Sequence, residues 1–127
     1  MGASVADLPV GTVTLLFTDI EGSTRLLRQL GDRYPTLLAD HHRLLRAAVE
    51  ARGGRVVDTQ GDAFFVAFGR AADAVAAAAE AQRALGSHTW PEGIDPRVRM
   101  GLHTGEPTPS GGSLGSALQS CAECALG

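Results

Sequence analysis

From Thr12 to Thr18 the chain is apolar and β-branched (TVTLLFT), the pattern of a buried strand, and Asp19 stands at its C-terminal end. Gly22-Ser23-Thr24 then leads into Arg25-Leu26-Leu27, which predicts a helix start with a hydroxyl cap. The pattern turns helical from Asp32 to Arg52. Tyr34, Leu37, Leu38, His41, Leu44, Leu45, Ala48 and Val49 recur there at spacings of three and four and line one face. Gly53-Gly54 is a stop signal. Arg55–Thr59 and Ala63–Phe68 read as two short strands joined through Gln60-Gly61-Asp62, a connection short enough for a tight hairpin. Gly69 separates the second of these from an alanine-rich helix, Arg70–Leu85, whose expected inward positions are Ala72, Val75, Ala79 and Leu85. Residues 86–96 (GSHTWPEGIDP) form a loop rich in breakers, and Arg97–Thr104 alternates as a fourth strand. A further loop over 105–112 and one short helix over 113–127 complete the expected elements.

This order is β-α-β-β-α-β, the ferredoxin-like arrangement of an α+β fold, in which helices cover one face of an antiparallel sheet. Composition leaves that picture standing. The 127 residues suit one domain, and 44% hydrophobic with 20% charged residues is ordinary for a globular protein. A formal net charge of -3 gives no electrostatic reason to expect nucleic acid or an anionic membrane as partner. No apolar run approaches the roughly 18 residues of a membrane span. Residues 1–10 lack the basic-then-apolar order of a secretory signal, and Ala6 breaks the myristoylation pattern begun by Gly2. A cytoplasmic location is therefore expected. Cys121 and Cys124 have the spacing of a zinc or redox pair, but no second pair exists to complete four ligands, so two free thiols are expected.

Two carboxylates change the picture more. Asp19 ends the first strand and Asp62 opens the third. In the ferredoxin-like order these strands are antiparallel sheet neighbours, so the end of one lies beside the start of the other. Carboxylates brought together repel each other unless a cation neutralises them. Mg²⁺ suits such a pair, because it takes a few carboxylates and completes its shell with water and phosphate oxygens. Each aspartate also has an ordinary explanation, Asp62 as a turn residue and Asp19 as a cap for the next helix. Gly22 lets backbone approach a ligand closely. Ser23 and Thr24 lie at a helix N-terminus, where free N–H groups and the helix dipole favour phosphate; the same residues also serve as an ordinary cap. Glu21 reads as a first-turn residue facing solvent.

The residues around these positions are specific. Residues 17–24 (FTDIEGST) resemble the metal-binding signature of class III adenylyl and guanylyl cyclases. Residues 61–68 (GDAFFVAF) resemble the second metal motif of that family, and residues 99–105 (RMGLHTG) resemble the strand that follows its second helix. The resemblance implies that Asp19 and Asp62 form a catalytic metal-binding pair for two Mg²⁺ or Mn²⁺ ions, with the Ile20 carbonyl as a further ligand. It implies a triphosphate cradle made by Ile20, Glu21, Gly22, Ser23 and Thr24. The implied reaction is in-line displacement by the ribose 3′-hydroxyl of ATP or GTP, giving a 3′,5′-cyclic nucleotide and pyrophosphate. The implied assembly is a head-to-tail dimer, either a homodimer or a heterodimer with another cyclase chain.

Two departures qualify what the resemblance implies. Family members that select adenine carry a lysine four residues before the second metal aspartate; here that base-recognition candidate is Asp58, which leaves ATP against GTP open. The family also continues past the RMGLHTG strand into a segment bearing an asparagine and an arginine that stabilise the transition state, and residues 111–120 (GGSLGSALQS) hold neither. The expected organisation is a partial cyclase homology domain over 1–110, its core incomplete at the C-terminus, and a divergent Gly/Ser/Ala-rich tail over 111–127. Loss of cationic transition-state stabilisation costs on the order of 10³-fold, so this chain alone is expected to be weakly active or inactive. The alternative is an inactive nucleotide- or metal-binding module, or a regulatory subunit paired with a complete chain. His41 and His42 lie on a helix face without a third ligand and read as solvated or partly buried histidines, His103 within its strand reads as a satisfied histidine rather than a catalytic base, and Trp90 reads as a cover for the core edge.

Overall fold

The computed structural model describes residues 12–105. Strand β1 (Val13–Ile20) runs through the middle of a four-stranded sheet, as its nearly unbroken burial requires. Its alternation sends Leu16 and Ile20 toward the helices and Val13, Leu15 and Phe17 toward the other face. Helix α1 (Ser23–Leu30) follows at once. The expected hydroxyl cap is not there. Gly22 is the cap residue, held in the left-handed region at φ 67°, and no side chain closes the first turn. Only glycine takes that backbone conformation at little cost, and Ser23 is already helical.

A 3-10 turn (Gly31–Arg33) leads into α2 (Tyr34–Ala51), with Pro35 in its first turn, where a missing N–H costs nothing. Leu37, His41, Leu45 and Val49 are its buried stripe, and Tyr34, Leu38, Leu44 and Ala48 pack at the margin, as the periodicity predicts. Strands β2 (Arg55–Gln60) and β3 (Ala63–Phe68) form the expected hairpin, turned at Gly61 with φ 60°. The chain enters β2 through Gly54, where a Cβ would lie 2.7 Å from the Phe68 ring and 2.9 Å from the Val49 carbonyl. That close approach is the reason for glycine there.

Helix α3 (Ala71–Ser87) buries Ala74, Ala77, Ala81 and Leu85. Of the expected inward positions only Leu85 is correct: Ala72 and Ala79 are exposed, and Val75 is 56% exposed. Weighting the larger apolar side chain misled, because this helix turns its smallest residues to the sheet. Gln82 Nε2 donates to the Val98 carbonyl at 2.9 Å and an Arg52–Glu80 ion pair ties α3 to the end of α2, both fixing that rotation. Trp90 covers the core edge, its Nε1–H donating to the Leu85 carbonyl at 2.9 Å. Strand β4 (Val98–Gly105) completes the sheet in the order β2-β3-β1-β4, antiparallel throughout.

This is the ferredoxin-like topology. The helices share one face, over a core centred on Leu16, Phe64, Val66 and Phe68, each 1% exposed or less. Full burial of a side chain such as Phe64 is worth about 2–3 kcal/mol. On the other face Val13, Leu15, Phe17 and Ala67 form a second buried cluster. The cysteine pair, the expected 113–127 helix, and all of the loop over 105–112 except Gly105, which β4 includes, lie outside the described residues.

Candidate active site

The β1–β3 pairing ends where the chemistry begins. Thr18 is opposite Phe64, and beyond that pair the strands run out into Asp19-Ile20 and Gly61-Asp62. The Ile20 N–H donates to Asp62 Oδ2 at 2.7 Å, across 42 residues of sequence. Strand order therefore brings Asp62 to the end of β1, where the Ile20 backbone holds its carboxylate. Among the described residues no group of three or more His, Cys, Asp or Glu side chains converges. Asp19, Asp62 and the Ile20 carbonyl would offer a cation oxygen donors only, with no nitrogen or sulfur. That donor set fits Mg²⁺ or Mn²⁺.

Helix α2 backs the hairpin turn. His42 Nε2 donates to the Gly61 carbonyl at 2.9 Å, and its ring stands edge-on to Phe64 at 4.8 Å. His41 is fully buried, with neither ring nitrogen hydrogen-bonded, and meets Phe64 edge-on at 6.1 Å. Burial first, then the neighbouring His42, lower its pKa to about 4, against an opposing pull from Asp62. Burial and the Asp62 charge together raise the Tyr34 phenol. The expectation of a solvated or partly buried histidine holds for His42 and is exceeded at His41.

Sequence reasoning missed one participant. Asp19 is directly opposite Arg99 in the β1–β4 ladder. The guanidinium forks onto the carboxylate, Nε to Oδ1 at 2.8 Å and Nη2 to Oδ2 at 2.7 Å. Hydrogen bonding to Asp19 is the largest cause of a raised Arg99 pKa, with the charges of Glu21 and Asp62 adding to it. The only signal available in the sequence was register, since both residues fall on the same face once β1 and β4 are aligned.

The segment proposed as a phosphate cradle lies beside this pair. Ile20 is its buried anchor and Glu21 is exposed, as expected. The Glu21 N–H is committed to the Arg97 carbonyl at 2.7 Å. Gly22 in the left-handed region turns the chain so that the first-turn amides of α1, including those of Ser23 and Thr24, lack a side-chain cap and carry the positive end of the helix. A cleft of about 330 Å³ opens on the outer side of this segment, between Arg25 and Gln29 of α1 and the Gly93–Arg97 loop; neither aspartate lines it.

Asp58 is exposed on the edge strand β2, at a bulge, opposite Phe65. Its carboxylate accepts from the Thr59 N–H at 2.9 Å and from Gln60 Nε2 at 3.2 Å. Phe65 is in turn opposite Phe17, which alternation places on the same face as Asp19. Asp58 and Asp19 thus share the face of the sheet opposite α1, α2 and α3.

The class these features define is a ferredoxin-like α+β domain with an acidic site at converging strand ends. The family profile for the adenylate and guanylate cyclase catalytic domain matches residues 5–112, and the chain belongs to that family. It is 45% identical over 78 residues to receptor-type adenylate cyclase B of Leishmania donovani, covering 61% of this chain and 6% of that protein. It is 39% identical over 109 residues to an uncharacterized protein of Mycobacterium tuberculosis, covering 83% of this chain and 35% of that protein. A solved adenylate cyclase structure from Trypanosoma brucei superposes with a TM-score of 0.72 at 31% identity, over 81% of this chain and 60% of that one. The guanylate cyclase domain of Catenaria anguillulae in complex with GTP superposes with a TM-score of 0.67 at 22% identity, over 74% and 56% of the two chains, a likeness of fold. The chain thus spans 6% and 35% of these two curated relatives and 60% and 56% of these two solved chains.

Proposed function

We propose that this domain converts ATP or GTP to a 3′,5′-cyclic nucleotide and pyrophosphate, with Asp19, Asp62 and the Ile20 carbonyl holding two Mg²⁺ or Mn²⁺ ions. The observation that carries this reading is the Asp62 carboxylate tied to the backbone of Ile20, beside Asp19 and next to a helix N-terminus that no side chain caps. Bound divalent cations supply the charge that acidifies the ribose 3′-hydroxyl and steadies the leaving pyrophosphate. The chain's own part is placement. The hairpin turn and its His42 contact hold Asp62, the central strand holds Asp19, and the Gly22 bend presents amides to phosphate oxygens. Positioning and electrostatics do most of the work in phosphoryl transfer, so two rigid strand ends are a suitable platform.

A second reading is a subunit that binds nucleotide or metal and depends on another cyclase chain for transition-state groups, in a homodimer or heterodimer. It is favoured by residues 111–120, which hold neither asparagine nor arginine. No helix among the described residues is long and apolar enough to cross a membrane, and the reaction is proposed to take place in the cytoplasm.

The test is direct. The purified chain is incubated with MnATP and with MnGTP, alone and mixed with a complete cyclase relative, and cyclic product is measured against an Asp19→Ala control. Product from the chain alone supports the first reading. Product only on mixing supports the second. Calorimetry that shows no Mn²⁺ or nucleotide binding removes both.

A further inference from the structure

Cation binding at Asp19 meets an obstacle that the fold supplies. Both oxygens of that carboxylate are engaged by one guanidinium, in the paired geometry that Arg offers and Lys does not. Glu21 and Asp62 also bear on the same guanidinium electrostatically. The guanidinium thus neutralises Asp19 by direct contact, and the charges of Glu21 and Asp62 favour a cation in the same place. The Arg99 side chain is 51% exposed while that of Asp19 is 21% exposed. The arginine is the partner with room to leave, and the aspartate is the one held in place.

We infer that Arg99 is a built-in counter-ion that occupies the cation seat at Asp19, so that divalent metal binding there is an exchange in which the metal displaces the guanidinium. No bond to carbon is made or broken and no proton moves; one cation replaces another on the same two oxygens. The inference rests on the reading of Asp19 as a metal ligand. It adds that the affinity for metal is set against an internal competitor, and that occupancy of the site controls whether Arg99 is tied to β1 or released.

The experiment is Mn²⁺ binding to the full chain, by calorimetry and by the loss of the free-ion electron paramagnetic resonance signal, with no nucleotide present. Wild type is compared with Arg99→Gln, Arg99→Lys, Asp19→Asn and the Arg99→Gln/Asp19→Asn double variant, each checked for fold by circular dichroism. Arg99→Gln is expected to tighten Mn²⁺ binding by about 1.5-fold to fivefold, the scale of an exposed ion pair removed from competition. Arg99→Lys is expected to fall between, since lysine keeps the charge but cannot fork. In the Asp19→Asn background the gain should vanish. Unchanged or weaker binding by folded Arg99→Gln overturns the exchange while leaving Asp19 as a ligand. A gain that survives Asp19→Asn overturns the assignment of Asp19 itself. Absence of Mn²⁺ binding in every protein overturns the metal reading and the exchange with it.

Discussion

His41 makes the fold sensitive to mild acid, and the size of the effect follows from its surroundings. The ring is fully buried against Phe64 with neither nitrogen hydrogen-bonded. The folded protein keeps it neutral down to about pH 4, against 6.5 for an unperturbed histidine. Below pH 6.5 the unfolded chain takes up a proton that the folded chain refuses, so stability present above 6.5 is lost as the pH falls toward 4. The full span amounts to about 3 kcal/mol at 1.36 kcal/mol per unit. At pH 5.5 the loss is already about 1 kcal/mol, and it is fixed by the unfolded value, because the folded ring is still neutral there. The perturbation is His41→Leu, which fills the space and removes both orphaned nitrogens. Urea unfolding at pH 7.5 and 5.5 is the assay. Wild type should lose about 1 kcal/mol more than the variant between the two, and at pH 7.5 the variant should be equal to wild type or more stable by up to about 1 kcal/mol. Parallel pH dependences would refute the reasoning, because they would mean that His41 is solvated or hydrogen-bonded in the folded protein.

Three further outcomes are expected in urea unfolding at neutral pH without metal. Gly54→Ala should destabilise by about 1–3 kcal/mol, because its Cβ meets the Phe68 ring and the Val49 carbonyl at under 3.0 Å; a neutral result would mean that the α2–β2 junction gives way freely. Thr18→Val should be neutral or stabilising by up to about 1 kcal/mol, since the buried Thr18 hydroxyl has no partner. A clear loss would reveal one. Asp62→Ala should cost about 1–2 kcal/mol by leaving the Ile20 N–H without its acceptor, and Asp62→Asn, which keeps an acceptor oxygen, should cost less. Equal losses would show that charge, and not this bond, holds the turn.

The strands were legible because their signals are local and redundant. Β-branched runs, the Gln60-Gly61-Asp62 turn and the glycine stops all pointed to the same elements, and the β-α-β-β-α-β order then placed Asp19 beside Asp62. What failed was orientation within a weakly patterned element. In α3 the alanines leave little amphipathic contrast, so Val75 looked inward although it faces solvent. The cap of α1 was misplaced by one residue because Ser23 and Thr24 offer hydroxyls, while the left-handed bend belongs to Gly22. Arg99 went unseen for a different reason. Its contact with Asp19 spans 80 residues and exists only once two strands are in register, which no local pattern encodes. Periodicity placed His41 on the apolar face of α2 but not the full dryness of its ring, since a histidine there reads the same whether its edge is wet or dry.

The bond from the Ile20 amide to Asp62 gives the two aspartates unequal fates under mutation and drift. Asp62 is held twice, once by whatever chemistry it performs and once as the fastener between the ends of β1 and the hairpin. Asp19 has no such second duty, because its pairing with Arg99 is an exposed one of a kind that adds little to a fold. On the proposed reading, a descendant that abandoned catalysis could lose Asp19 at little cost to the fold but would lose this bond with Asp62. In sequences of this kind, then, an aspartate after the hairpin glycine testifies mainly to an intact scaffold. An aspartate at the end of the first strand is the better witness to a working site.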